Sequence, residues 1–409
     1  MPGARSGEVR IPASKSCAHR ALIAAALYGG SHVIVCDGIS KDIQATIRCL
    51  KALGAEITVK GEEIFLKAVS GRAEKAELFP GESGSTMRFL LPVAGAMGAE
   101  AVFRMEGRLS ERPMEPLVSE LERGGMEIRQ EGKDLYCRGR LQAGEYTLPG
   151  NVSSQFVSGM MFALPMCGRE SQIRVTGEIE SADYIAMTVE ALKKFGARWE
   201  RKENVWTFSG IMKNEATERI EIESDWSSAA FFLAMGALSP GGIRVKGMNL
   251  ASGQGDKRIV DVLGAFGCRM MICEDEITVS GRELRGQEID ASLIPDLVPA
   301  ISAVAALAGG KSVICHAERL RLKESDRIES TAGMLRALGV EVSETADGLI
   351  IRGKKRLRGG EVDPKGDHRI AMAAAVAACG CEEKVIVNEA ECTEKSFPAF
   401  WEKMEGLMR

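Results

Sequence analysis

The sequence predicts an α/β protein of two similar domains, each built from three repeated β/α units. Three observations carry that prediction. With 409 residues, 45% of them hydrophobic, the chain exceeds the size at which one core stops growing. A helix, a glycine stop and a strand recur with a period of about 71 residues. A second helix, rich in Ala and Met, recurs with the same period.

The first recurring helix ends in the segments Leu50–Gly54, Leu121–Gly125, Leu192–Gly196, Leu263–Gly267 and Leu335–Gly339, each with Leu four residues before Gly. Their glycines lie 71, 71, 71 and 72 residues apart. Apolar residues at helical spacing precede each glycine, which suits the left-handed position at a helix C-terminus. A β-like string such as Ala55–Val59 follows. A sixth copy would put its glycine just past Arg409, so Phe397–Met408 reads as its helix. The second helix begins near Ser14, Ser85, Ser153, Asp225, Pro295 and Asp367, and several copies stop at glycine, as at Gly29–Gly30, Gly98, Gly168 and Gly309–Gly310. An ordinary solenoid is the plainer architecture for a repeat. Its units run to about 20–50 residues, shorter than these, which favours two globular domains of three copies each.

Composition narrows the function. A formal net charge of −4 argues against a general polyanion binder, so no nucleic-acid partner is expected and any anion site must be local. The eleven cysteines, among them Cys17, Cys49, Cys268 and Cys379, have no paired spacing, and Met1–Arg10 carries no apolar leader core. A reducing cytoplasm is the expectation. Apolar stretches such as Ile370–Cys379 are too short to span a bilayer and read as buried helices, so no membrane partner is expected.

The polar residues gather at the helix starts. Ser14-Lys15-Ser16 with Arg20, Gly84-Ser85-Thr86 with Arg88, Arg112-Pro113, Ser153-Ser154-Gln155, Lys323 to Arg327, His368-Arg369 and Lys395-Ser396 all lie at or just before such positions. Free N–H groups and the helix dipole already favour anions there, and Lys, Arg and Ser add to that. Singly, each is as well read as a Ser cap or a solvated charge. As a set, eight cations (Lys15, Arg20, Arg88, Arg112, Lys323, Arg327, Arg369 and Lys395) would repel one another unless ligands brought comparable negative charge, as two phosphorylated carboxylates would. Gly310-Lys311-Ser312 lacks the earlier glycine of a P-loop and reads as a turn, and Gly253 with Gly255 lacks the third glycine of a dinucleotide fingerprint. Four scattered histidines form no zinc pattern, so neither cofactor nor metal is expected.

On the anchors Pro12–Ser16 with Arg20, Gly84–Arg88, Glu111–Met114, Val152–Phe156, Lys323–Arg327, Asp367–Arg369 and Lys395–Pro398, the sequence resembles the enolpyruvyl transferase family over nearly its whole length. The resemblance is to the branch that acts on shikimate 3-phosphate. It implies two domains of three β/α units, an inside-out α/β barrel in each, with helix N-termini toward an inter-domain cleft that holds the active site. It also implies domain limits of 14–224 for one domain and 1–13 with 225–409 for the other. The implied activity is transfer of the enolpyruvyl group of phosphoenolpyruvate to the 5-hydroxyl of shikimate 3-phosphate, on the way to chorismate and the aromatic amino acids. Carried over position by position, Lys15, Gly84, Arg112, Gln155, Arg327, Arg369 and Lys395 would hold phosphoenolpyruvate. Lys15, Ser16, Arg20, Ser153, Ser154, Gln155, Ser181, Tyr184, Asp296 and Lys323 would hold shikimate 3-phosphate. Asp296 corresponds to the carboxylate facing the attacking hydroxyl, Glu324 to the acid that protonates the methylene carbon, and Lys15 joins them as catalytic. Arg88 and His368 sit in matching motifs, either on the ligands or bracing neighbours.

Addition followed by elimination needs two carboxylates with opposite tasks, Asp296 ionised and Glu324 able to hold a proton. Taken alone, Asp296 reads as a helix cap and Glu324 as an exposed first-turn acid. Two positions depart from the family: Glu82 replaces a common Asn, and Arg319 replaces an Asn that contacts the shikimate ligand. Gly84 stands where the family's response to glyphosate is decided, which implies sensitivity. The branch acting on UDP-N-acetylglucosamine carries a reactive Cys where Gly107 stands and lacks the Lys-Glu-Ser-Asp-Arg pattern. A non-catalytic anion-binding repeat protein is the remaining alternative, and few aromatic residues flank the basic clusters for single-strand binding. A monomer is the default expectation.

Overall fold

The structure is a computed structural model that describes residues 3–71, 73–211 and 217–408. The limits expected at residues 1 and 409 lie outside the described residues. The chain divides into two compact units, Lys15–Ile222 and Met1–Ser14 with Glu223–Arg409.

In Lys15–Ile222, three four-stranded sheets share one plan. In one of them Lys75–Gly81 runs parallel to Glu100–Met105, which pairs antiparallel with Asp134–Gly139, and that strand pairs with Met126–Glu131 at the edge. The same order joins Glu145–Pro149, Ser171–Thr176, Val205–Ile211 and Ala197–Lys202. The third sheet joins Glu218–Glu221, Ser31–Val35, Glu63–Lys67 and Glu56–Lys60. In the other unit the plan recurs from Gly7–Arg10 and from Glu288–Asp290, while Gly360–Val362 and Val385–Val387 form a two-stranded sheet.

Parallel neighbours need a crossover, and one buried helix supplies it in each complete copy. Helix Gly84–Met97 follows Lys75–Gly81 and leads to Glu100–Met105. Two copies draw their first strand from elsewhere in the sequence. Gly7–Arg10 precedes helix Lys15–Tyr28 yet pairs with Ile243–Lys246, and Glu218–Glu221 precedes helix Trp226–Ala237 yet pairs with Ser31–Val35.

Six inner helices, Lys15–Tyr28, Gly84–Met97, Ser154–Ala163, Trp226–Ala237, Val298–Ala305 and His368–Ala378, are apolar on all sides and almost wholly buried. Five begin within one residue of their expected starts, and a 3-10 turn at Pro295–Leu297 delays the other to Val298. Helices Trp226–Ala237, Val298–Ala305 and His368–Ala378 pack on one another inside their unit. The sheets lie outside them, burying alternate residues, as along Lys75–Gly81. Helices within and sheets without is the inside-out arrangement. Close approach demands glycine at one contact: a Cβ on Gly159 would come 2.2 Å from the carbonyl oxygen of Arg88. The recurring stops are left-handed throughout, with φ of 102°, 99°, 85°, 95° and 82° at Gly54, Gly125, Gly196, Gly267 and Gly339.

Candidate active site

Within Lys15–Ile222, the polar residues cluster at the starts of the inner helices. Lys15 opens helix Lys15–Tyr28 and sets its Nζ 2.8 Å from Asp42 Oδ2. One turn on, Arg20 is buried, 3% exposed, and donates to Ser16 O at 2.9 Å, Thr188 Oγ1 at 2.8 Å and Tyr184 O at 3.0 Å. The rings of Phe89 and Tyr184 lie beside its guanidinium. All three hydrogen-bond partners are neutral, and burial pulls Arg20 down to about 10, still charged at neutral pH. A buried cation whose bonds go to neutral groups is suited to a carboxylate or phosphate ligand. Ser181 stands at φ 54° as the cap of helix Ala182–Lys194, the helix that carries Tyr184 and Thr188.

Ser83 caps helix Gly84–Met97, its side chain accepting from Thr86 N–H. A Cβ on Gly84 would come 2.7 Å from Arg112 Nη1, so the guanidinium of Arg112 lies over this helix start. Arg88 donates to Gln155 Oε1 at 2.7 Å and to Pro113 O at 3.0 Å, while Gln155 Nε2 donates to Ser85 Oγ at 3.0 Å. Ser153 caps the helix that Ser154 and Gln155 open. Lys15, Asp42, Ser16 and Arg20 form one group, and Ser85, Arg88 and Gln155 another.

In the other unit a single guanidinium organises the carboxylates. Arg327, its side chain 2% exposed, meets Asp367 Oδ2 through Nε at 2.7 Å, Asp296 Oδ1 through Nη1 at 2.9 Å and Glu324 Oε2 through Nη2 at 2.8 Å. Lys323 Nζ lies 3.4 Å from Asp296 Oδ1, and Arg369 Nη2 lies 3.2 Å from Asp296 Oδ2. Burial alone would raise the Asp296 carboxyl, but Arg369, Lys323 and Arg327 together hold it well below the usual carboxylate range. Burial would likewise lower Arg327, and the charges of Asp367, Glu324 and Asp296 outweigh it, raising its hold on the proton. Asp296 lies in the 3-10 turn before its helix rather than at the cap position, which Leu297 holds, and its oxygens are engaged by these cations.

The cations are not left for ligands alone to balance: Asp42, Asp296, Glu324 and Asp367 already offset Lys15, Lys323, Arg327 and Arg369. Glu324 is no first-turn acid, since its helix is Arg327–Ala337 with Asp326 as cap, and its side chain is only 16% exposed. Arg112, Lys323 and Lys395 do not open inner helices. Arg112 follows the 3-10 turn Leu109–Glu111, and Lys395 is buried at the end of the turn Ala390–Lys395. His368 is buried as the first residue of its helix, with Nδ1 3.8 Å from Asp367 Oδ1. Of the two departures, Arg319 donates to Ser292 O at 3.1 Å, and Glu82 lies over Gly107, whose Cβ would meet Glu82 Oε1 at 1.9 Å.

Sequence reasoning missed Asp42, and it gave Asp367, quoted in an anchor motif and as a helix start, no role of its own. It also missed Asp256, fully buried and bonded to Ser227, whose carboxyl is pushed up to about 6 by burial first and then by the charge of Asp296. Among the described residues no cluster of His, Cys, Asp and Glu could hold a metal ion, and no helix is long and apolar enough to cross a membrane.

Residues 2–404 match the family described as EPSP synthase (3-phosphoshikimate 1-carboxyvinyltransferase). A 3-phosphoshikimate 1-carboxyvinyltransferase of Clostridium acetobutylicum is 42% identical over 416 residues, covering 99% of this chain and 96% of the relative. One from Clostridium kluyveri is 40% identical over 411 residues, with the same coverage of 99% and 96%. Among solved structures, EPSP synthase from Acinetobacter baumannii superposes with a TM-score of 0.79 at 26% identity, covering 99% of this chain and 96% of that one.

Proposed function

This chain belongs to the EPSP synthase family, and from that premise we propose how its own residues divide the reaction of a 3-phosphoshikimate 1-carboxyvinyltransferase. The enzyme transfers the enolpyruvyl group of phosphoenolpyruvate to the 5-hydroxyl of shikimate 3-phosphate and releases phosphate. Arg20 takes the carboxylate of shikimate 3-phosphate, and Lys15, Ser16, Ser153, Ser154, Gln155, Ser181, Tyr184 and Lys323 surround the rest of it. Lys15, Gly84, Arg112, Gln155, Arg327, Arg369 and Lys395 take phosphoenolpyruvate. Arg88 braces Gln155 through the hydrogen bond at 2.7 Å.

Glu324 delivers a proton to the methylene carbon of phosphoenolpyruvate, and the 5-hydroxyl oxygen bonds to the neighbouring carbon as Asp296 receives the hydroxyl proton. The tetrahedral adduct then gives a methyl proton back to Glu324 and loses phosphate, which carries off the proton held by Asp296, so the double bond and both carboxyls are restored. The observation that carries this reading is Arg327 holding Asp296 and Glu324 on its two terminal nitrogens, at 2.9 Å and 2.8 Å. In that cage Asp296 is a weak base. Anionic substrate groups that engage Arg327, Arg369 and Lys323 draw their field away from Asp296 and raise its proton affinity when the hydroxyl arrives. Acceptance of the proton is thereby tied to occupancy of the site.

Among the described residues the cysteines form no disulfide, which fits a reducing cytoplasm. Sensitivity to glyphosate belongs to the same reading, as inhibition competing with phosphoenolpyruvate at Gly84. Phosphate release from phosphoenolpyruvate, measured with shikimate 3-phosphate, with UDP-N-acetylglucosamine and with neither, tests the assignment. Release only with shikimate 3-phosphate is expected; release only with the nucleotide sugar, or in none of the three, overturns it.

A further inference from the structure

Behind the Gly84 turn runs a buried chain of hydroxyls that ends on a histidine. His19 Nδ1 lies 2.7 Å from Thr46 Oγ1, Thr46 Oγ1 lies 2.6 Å from Thr86 Oγ1, and Thr86 Oγ1 donates to Ser83 Oγ at 2.8 Å. Ser83 Oγ also accepts the N–H of Thr86 at 3.3 Å as the helix cap. The four side chains come from the helices Lys15–Tyr28, Lys41–Ala52 and Gly84–Met97 and the cap of the last, and none is more than 1% exposed. His19 Nε2 is buried without a hydrogen-bond partner.

The direction of this chain can be deduced, because each hydroxyl has one proton to give. Thr86 spends its proton on Ser83, so Thr46 must donate to Thr86. Thr46 then has none left, so His19 Nδ1–H must donate to Thr46. The ring is therefore protonated on Nδ1 and bare on Nε2. The reverse direction would bury an orphan N–H at Nε2, which folded proteins avoid more strictly than a bare acceptor. Burial, with the charges of Lys15 and Arg20, outweighs the pull of Asp42 and keeps the ring neutral, at about 3. His32 is forced the other way. Its Nε2 lies 3.0 Å from Gly29 O, a carbonyl that can only accept.

We propose that His19 is a positioning residue for the donor-substrate site: as the Nδ1–H tautomer it heads a one-way chain through Thr46 and Thr86 to Ser83, fixing the turn at Gly84 and Ser85. The inference rests on the reading of Gly84 as a phosphoenolpyruvate contact. That turn faces Arg112 through Gly84 and Gln155 through Ser85 Oγ, so a small displacement would misplace several proposed contacts at once. A neutral chain sets this geometry without adding charge beside Lys15 and Arg20.

The test has two readouts on the full-length protein. Long-range nitrogen–proton NMR of the histidine rings, with H19N identifying the His19 signals, reads the tautomers directly. His19 is expected protonated on Nδ1 and His32 on Nε2; His19 protonated on Nε2 or on both nitrogens overturns the proposal. In steady-state assays T46V, which breaks the chain at constant shape, should raise KM for phosphoenolpyruvate roughly three- to tenfold, as expected for one lost hydrogen bond, with a smaller change in KM for shikimate 3-phosphate. H19F should match T46V, whereas H19N, whose amide N–H can stand in for Nδ1–H, should restore the wild-type value. An unchanged KM in T46V overturns the proposal even if H19F fails to fold. Wild-type protein that does not turn over phosphoenolpyruvate defeats the functional reading instead, and the tautomer spectrum still decides the direction of the chain.

Discussion

Arg327 would cost several kcal/mol to bury alone, and its cost is met by three carboxylates, Asp367, Asp296 and Glu324. The cations of this site were legible in the sequence because Lys and Arg at helix starts run against the dipole and call for an explanation. Their counter-charges were not, because Asp42 and Asp367 stand where any helix welcomes an acid. Asp367 does cap its helix, accepting from Arg369 N–H at 3.0 Å, so its bond to Arg327 is hidden behind an ordinary role. Gly84→Ala should drive the Arg112 guanidinium off the turn, from a Cβ contact of 2.7 Å. We expect KM for phosphoenolpyruvate to rise by about tenfold or more, with the melting temperature little changed, because the displaced group is the flexible end of a side chain. An unchanged KM would place phosphoenolpyruvate elsewhere.

Two buried groups set opposite pH dependences. Below pH 6.5 the unfolded chain protonates His19 while the folded protein refuses that proton until about pH 3, so this stability is lost as pH falls through that window. Asp256 acts in reverse: the folded protein takes its proton below about 6 and the unfolded chain only below 3.8, so folding gains as pH falls between them. H19N removes the first effect and leaves the second. The stability of wild type relative to H19N should therefore fall on acidification by up to about 1.4 kcal/mol per pH unit, measured from urea midpoints between about pH 7 and about pH 5. A pH-independent difference would mean that His19 is not held neutral.

At the scale of elements, glycine and apolar composition were the readable signals. The five recurring glycines stop their helices in left-handed geometry, and strands Glu56–Lys60, Met126–Glu131, Ala197–Lys202, Arg269–Cys273 and Glu341–Glu344 follow them. The all-round apolar helices read as buried because no polar face is left to meet water. Strand partnership was less legible, since parallel pairing is decided by tertiary contact: the period alone does not send Gly7–Arg10 to Ile243–Lys246 or Glu218–Glu221 to Ser31–Val35. Short 3-10 turns hid the setting of Arg112, Asp296 and Lys395 for the same reason. Gly159→Ala tests the helix contact. Its Cβ would strike backbone, the Arg88 carbonyl oxygen, at 2.2 Å, and helix Gly84–Met97 cannot yield there without moving its own first turn. A loss of about 1–3 kcal/mol is expected in denaturant unfolding, and full stability would show that this packing is looser than it looks.

For the molecule as a whole, a chain of net charge −4 gathers Lys and Arg near a few helix starts and offsets Lys15, Arg327 and Arg369 with acids of its own. The repeat explains how: six copies of one unit present the same kind of position, and sequence differences at those positions supply different chemistry. Lys15–Ile222 carries Arg20 bound to neutral partners, and Glu223–Arg409 carries Asp296 and Glu324, two of the three carboxylates on Arg327. In the proposed reaction the carboxylates carry the chemistry. The decisive measurement is turnover against ligand affinity in Asp296→Asn and Glu324→Gln. Loss of a positioned acid or base should cut kcat by about 10²–10⁴-fold, while the affinities for shikimate 3-phosphate and phosphoenolpyruvate change far less. Either variant keeping wild-type kcat, or losing affinity as much as rate, would contradict the roles assigned to the pair on Arg327.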